Sequence, residues 1–366
     1  MAKRVLARLA IWPSLEKPQD AKSIWWGYFP VVLVAVIGVL LTLAAFIQSL
    51  GWERSQVEIA FREAAQDRIL VVQRELKHSL GIVQDIASFF AASEVVDRRE
   101  FRKFVGPPLK RQAGIKALEW VPVVLAENRS AFIKEAQKSF PPFRITEDDL
   151  SGKLIESRDQ PVYYPVLYIQ PYQSNKEALG FNVGANPIVS TLFGEAELTG
   201  TLQVSPGVPM MDEGGEKTGV MVAVPVFFKN EKQEDDPALA SPEIRGFALG
   251  IFSVGDIVER ALESLRSGGV DLHFYQGHST GDGQLIYTHL SRMREGRAPG
   301  TEVDTSEITY SQRILVGTQQ WEVVCNPAAE KFQAETWSSW VILFGGIAFT
   351  ALLITYVATL VGTVSK

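Results

Sequence analysis

Residues 28–47 read YFPVVLVAVIGVLLTLAAFI, twenty consecutive positions without a charge. A helix needs about 20 apolar residues to cross the hydrocarbon core of a bilayer. Residues 337–366 read WSSWVILFGGIAFTALLITYVATLVGTVSK and stay uncharged until Lys366. Trp25, Trp26 and Tyr28 stand at the start of the first run, and Trp337 and Trp340 open the second. Indole and phenol rings at such ends suit the water–lipid interface. The pair therefore reads as two transmembrane helices. The first is longer than the apolar region of a secretory signal and begins after some 25 residues, so it reads as a retained anchor.

The rest of the chain is read relative to these spans. The protein has 366 residues, a formal net charge of −6, one Cys and four His. A single Cys excludes a disulfide framework within the chain, and Cys325 reads as a buried small apolar residue. An acidic chain without a basic stripe is not built for nucleic acid. Before Ile24 five basic residues face two acidic ones, a net +3, and after Trp337 Lys366 adds +1, which leaves −10 between the spans. The excess of Lys and Arg places the N-terminus in the cytoplasm, and an even number of spans returns the C-terminus there. The segment 51–335 is then periplasmic in a bacterial inner membrane.

After the first span Phe61, Ala65, Ile69, Val72, Leu76, Leu80, Val83, Ile86 and Phe90 recur every three or four residues among charged ones. This is one apolar stripe on a helical rod. It predicts a stalk helix of about 35–40 residues, roughly 55 Å long, packed on its own domain or on a second copy. Asp97 followed by Glu100 predicts a capping box, with a short helix that Gly106-Pro107-Pro108 stops near Val105. Strands are expected at 116–125, 163–169, 219–228, 246–254, 270–275, 285–288, 311–316 and 320–325, with a helix after 254. Residues 229–242, KNEKQEDDPALASP, read as a solvated loop near a subdomain boundary. Gly281-Asp282-Gly283 reads as a hairpin turn.

With spans bracketing a mixed segment, the motifs can be matched. Phe101-x-x-Phe104, Gly114-Ile115, Leu118-Glu119-Trp120-Val121-Pro122 and Arg129 come first. Tyr164-Pro165-Val166, Pro171, Leu179-Gly180-Phe181, Asn186-Pro187, Ala196 and Thr199-Gly200 follow, then Pro225-Val226-Phe227 and Arg245-Gly246-Phe247 with Gly250 and Val254. In this order the segment resembles the CHASE family, the extracellular sensory domain of cytokinin-receptor-like histidine kinases and related bacterial signalling proteins. The motifs cover roughly 87–260.

The resemblance implies an α+β, membrane-anchored protein in which two transmembrane helices bracket a long stalk helix and two PAS-like subdomains. The boundaries are a basic cytoplasmic tail at 1–24, a first span at 25–48, a stalk at 49–92, a membrane-distal subdomain at 93–235, a membrane-proximal one at 236–332, a second span at 333–362 and a cytoplasmic end at 363–366. It also implies a small-ligand pocket in the distal subdomain. Asn182 stands where plant members carry an Asp that holds the ligand's polar edge, and Ser190 and Ala113 replace the family's usual Arg and Pro. Val204 and Ser205 match pocket positions, and Val222 and Val224 on the adjoining strand supply an apolar wall.

No catalytic motif is recognisable, and neither cofactor nor metal is expected. Glu177-Ala178-Leu179 and Glu75-Leu76-Lys77-His78 are coincidences of spelling, and His273, His278 and His289 lack a ligating spacing. Two functions remain. One is a non-catalytic accessory subunit, a CHASE-like scaffold held in lipid that binds other membrane subunits or a second copy. This reading is favoured because the sequence stops soon after Val361 and because of Asn182 and Ser190. The alternative is a receptor for a small organic ligand that signals to a separate output domain.

Overall fold

A computed structural model describes residues 21–149, 152–212, 215–228, 243–266, 268–279, 283–293, 308–328, 332 and 336–364. The tail at 1–20, the loop at 229–242, the turn residues Gly281 and Asp282, the end at 365–366 and the side chains of Trp25, Trp26 and Tyr28 fall outside the described residues. The chain forms two compact units, one of Met1–Ile59 with Gln333–Lys366 and one of Ala60–Phe332.

Helix α1 (Ala21–Ala92) is continuous for 72 residues and contributes to both units. It is followed by α2 (Arg98–Arg111), β1 (Ile115–Pro122), β2 (Val124–Leu125), α3 (Arg129–Ser139), β3 (Thr146–Asp148), β4 (Leu154–Glu156), β5 (Val162–Tyr163) and β6 (Tyr168–Gln170). Next come α4 (Tyr172–Asn175), α5 (Pro187–Thr199), β7 (Gln203–Val204), β8 (Val208–Asp212), β9 (Gly215–Phe227), β10 (Ile244–Ser253) and α6 (Val254–Glu263). The chain closes with β11 (Val270–Gln276), β12 (Gln284–His289), β13 (Tyr310–Val316), β14 (Gln319–Pro327) and α7 (Trp337–Val364).

In the first unit, α7 over Trp337–Val361 and α1 from Phe29 onward are long and apolar enough to cross a membrane. They pack through small residues in a reciprocal way. A Cβ on Gly38 would meet the Thr350 side chain, and one on Gly346 would meet Thr42. Each Thr hydroxyl donates to the carbonyl of the Gly one turn before it, Thr42 to Gly38 and Thr350 to Gly346, both at 2.8 Å. Small residues let helix backbones approach where no hydrophobic drive exists. At one end of this contact Glu53 accepts from Ser338 and Ser339. Trp337 and Trp340 lie at the start of α7 with exposed rings, and Trp52 on α1 is exposed too.

In the second unit a six-stranded sheet has the order β6-β1-β10-β9-β7, with β8 also on β9, and a four-stranded sheet has the order β12-β11-β14-β13. Every ladder in both is antiparallel. The expected stripe on α1 is buried from Phe61 to Phe90 at every one of its nine positions. It therefore packs on its own domain. The ring of Phe90 stacks on Trp120 at 3.8 Å, and a Cβ on Gly250 would meet Val83.

Three local expectations are corrected. The subdomain boundary at 235/236 moves, because β10 lies in the first sheet between β1 and β9. Its apolar run Phe247–Gly250 is buried on both faces, as suits a central strand. The strands on either side of residues 229–242, β9 and β10, are paired neighbours. Helix α2 has its capping box, with Asp97 accepting from the Glu100 amide at 2.7 Å and Glu100 from the Asp97 amide at 3.0 Å. It does not stop near Val105, however, and carries Pro107 and Pro108 inside it. Each proline removes a helical N–H donor and crowds the preceding turn, yet the helix continues through both, with Phe101 and Val105 buried. The expected strand at 163–169 is two short strands, β5 and β6. Pro165 has no N–H to give a ladder, and Val166 and Leu167 bond instead to Phe181 and Trp120 carbonyls.

Candidate functional site

The pleat of the first sheet sorts its residues into two faces. Ala117 and Val121 of β1, Ile169 of β6, Phe247 and Leu249 of β10, and Met221 and Ala223 of β9 form one core with Val189, Leu192, Phe193 and Ala196 of α5. The opposite face carries Leu118, Gly250 and Val222, which stand in register across β1, β10 and β9. Gly250 touches Val83 of α1. The sheet is thus a partition with α5 on one side and α1 on the other.

This sorting corrects the expected pocket. Val222 and Val224 face away from α5, on the α1 side, and cannot form a wall shared with the α5 core. Val204 pairs with Val222 and meets the β13–β14 turn, where a Cβ on Gly317 would strike it. Its carbonyl accepts from the Gln319 amide at 2.9 Å. Ser205 accepts from the Met221 amide at 2.9 Å and donates to the Pro206 carbonyl at 2.8 Å, so its hydroxyl is spent on backbone. The strand GVMVAVPVFF is apolar on both faces, which is why alternation could not tell one from the other.

Asn182 is fully buried. Its Oδ1 accepts from the Tyr164 amide at 2.7 Å, while its Nδ2 meets no acceptor among the described residues. Its neighbours Val183, Tyr164 and Leu179 pack on the α5 core. Ser190 lies on the exposed side of α5, so the loss of an Arg there leaves the interior unchanged.

A further residue lies on the α5 side of the sheet and was not singled out in the sequence. Glu119 of β1 is 2% exposed, and as the residue between Ala117 and Val121 it projects toward α5. It is in register with Ile169 on one side and Leu249 on the other, both apolar core residues. The row continues through Ala223 to Gln203. Among the described residues Glu119 Oε2 has no hydrogen-bond partner. Removal from water, with no cation beside it, pushes its carboxyl pKa up to about 8. The signal that could have found it is one acidic residue inside the apolar strand ALEWV, on the Ala117/Val121 face.

The remaining motif residues hold the frame. The Arg245 guanidinium donates to the carbonyls of Phe90 (2.6 Å), Ser93 (2.7 Å) and Glu94 (2.8 Å) at the C-terminal end of α1. Arg129 binds Asp159 at 2.9 Å and the Ser157 carbonyl at 2.8 Å, and lies over the Tyr163 ring. Gly180 has φ +80°, and a Cβ there would strike the Arg144 carbonyl.

The profile described as "CHASE domain" matches residues 94–287. The chain belongs to the CHASE-domain family. The CHASE domain thus takes in all of the first sheet together with β11 and most of β12. A hybrid signal transduction histidine kinase of Dictyostelium discoideum is 22% identical over 335 residues. The match covers 85% of this chain and 15% of that kinase, so the chain spans a small part of its relative's length. Among solved structures, the periplasmic sensory domain of the Campylobacter jejuni chemoreceptor Tlp1 is similar, with 13% identity and TM-score 0.45, over 76% of this chain and 98% of that one. So is the ligand-binding domain of the Pseudomonas aeruginosa amino acid chemoreceptor PctC in complex with GABA, with 15% identity and TM-score 0.38, over 72% and 97%.

The three His residues go to separate partners. His289 pairs with Glu259 at 2.7 Å, His273 lies 3.1 Å from the Thr288 hydroxyl, and His278 lies 3.3 Å from Arg313.

Proposed function

We propose that this CHASE protein is a non-catalytic, two-pass sensor of the bacterial inner membrane. Both termini lie in the cytoplasm, and the CHASE domain binds a small organic ligand in the periplasm. The observation that carries the reading is the buried Nδ2 of Asn182, which lacks a partner at the position where family members hold a ligand. A buried donor left unpaired costs about 1–3 kcal/mol, and a ligand acceptor would remove that cost. Binding on the α5 side of the sheet would bias α1 on the other side, and α1 continues into the first span. Such a shift requires different affinities for the two states. Its partners are membrane lipid, the ligand and an output domain in this or another chain. The scaffold reading leaned on where the sequence stops and on Asn182 and Ser190. The end of the sequence has no weight beside a far longer relative, and Ser190 is outside the core.

The test is thermal unfolding of the full chain in nanodiscs against a panel of amino acids, aliphatic amines, carboxylates and purines. At least one compound should raise the melting temperature, and Asn182→Ala should reduce the rise. A chain that no compound stabilises, and that co-purifies in fixed ratio with other membrane subunits, would return the scaffold reading.

A further inference from the structure

We propose that Glu119 is the anionic anchor of the site and that the ligand carries a protonated amine. The inference rests on the sensing function proposed above and names its ligand class. It starts from a carboxyl group on a central strand, 2% exposed, whose Oε2 has no hydrogen-bond partner among the described residues. Natural interiors rarely leave such a group unpaired, and each instance calls for an explanation such as a missing partner. Its surroundings supply none. The strand neighbours in register are Ile169 and Leu249, and α5 presents Val189, Leu192, Phe193 and Ala196. The phenols of Tyr164 and Tyr172 pack on this core, and the Glu197 charge acts on Tyr164. Among the described residues no Lys, Arg or His on this face pairs with Glu119.

A buried carboxyl with one unpaired oxygen and apolar strand neighbours is poorly placed to stabilise the domain. Leu or Met would fill the same volume without the desolvation cost. It is well placed to bind a cation. An ammonium group entering the core would meet the carboxylate in a dry site, where a charge-assisted hydrogen bond is short and strong. The free acid is largely protonated near neutral pH, its pKa being raised to about 8. Forming the ammonium–carboxylate pair therefore expels the carboxyl proton to solvent. The charge balances: a cation enters, a proton leaves, and the core stays neutral. A neutral or anionic ligand would release no proton from this group.

The experiment uses the full chain in nanodiscs and the same panel. The compounds that raise the melting temperature should be amines. Calorimetry at pH 7 in two buffers of different ionisation enthalpy should show proton release on binding. Glu119→Gln, which keeps the shape, should weaken amine binding at least tenfold and abolish that release. Should the variant fail to fold, the wild-type infrared spectrum still decides: adding the amine should remove the band of a protonated, buried carboxylic acid. Stabilisation by a neutral or anionic compound, with unchanged affinity in Glu119→Gln, would overturn the amine class and leave the sensing function standing. A panel in which nothing binds would overturn both.

Discussion

At the residue scale the decisive contrast is between two of the buried polar groups, Glu119 and Asn182, and the valines near them. Val224 is partly exposed, while Val204 and Val222 do what apolar strand residues do, which is to fill the interior. Glu119 and Asn182 keep an unpaired polar atom inside it. The Glu119 carboxyl makes stability depend on pH in a definite sense. Its folded pKa, about 8, is above the ordinary value of about 4.3 for an unfolded chain. Between these values the unfolded state has lost the proton and the folded state keeps it. Stability is therefore full below about pH 4 and falls as pH rises, with the loss complete above about pH 8. The fall should be of the order of a few kcal/mol for the ligand-free chain. Melting curves of wild type and Glu119→Gln at pH 5, 6.5 and 8 check this: the wild type should lose stability more steeply, and parallel curves would contradict it.

At the element scale the fold depends on how helix α1 is held. Its stripe was readable because nine apolar side chains at a 3.6-residue period, among charged ones, have one physical solution, which is one buried side. The end of the same helix was not readable, since its cap comes from Arg245, far along the chain. Three carbonyls at the end of α1 and just beyond it accept from that one guanidinium, and a cation there also opposes the helix dipole. Arg245→Ala should cost about 1.5–3 kcal/mol, the range for hydrogen bonds to a charged group. Arg245→Lys should recover only part, because an ammonium cannot present the same fork. Chemical denaturation of the purified chain measures both, and a loss under 0.5 kcal/mol would remove Arg245 from this role. Pattern failed elsewhere for identifiable reasons. β9 is apolar on both faces, so its period said strand without saying which face meets α5. Residues 229–242 stand between two paired strands, and long-range pairing leaves no mark on local composition. Glu119 was quoted within a motif and passed over, because its meaning depends on the apolar neighbours that β6 and β10 bring to it.

At the scale of the whole molecule, the two spans were visible as runs without charge, and the CHASE identity as an order of motifs. The relation between the two sides of the first sheet was not. One sheet carries Glu119 toward α5 and rests its other face on α1. The row Leu118–Gly250–Val222 lies one residue along from the row Glu119–Leu249–Ala223, so any change of twist reaches both faces together. The central claim is that binding on one face is felt on the other. Hydrogen exchange of the full chain in nanodiscs, with and without the amine that stabilises it most, tests this directly. Protection should rise in β1 and α5 and also change along Leu80–Phe90 of α1. Protection confined to the α5 side, with α1 unchanged, would contradict the account.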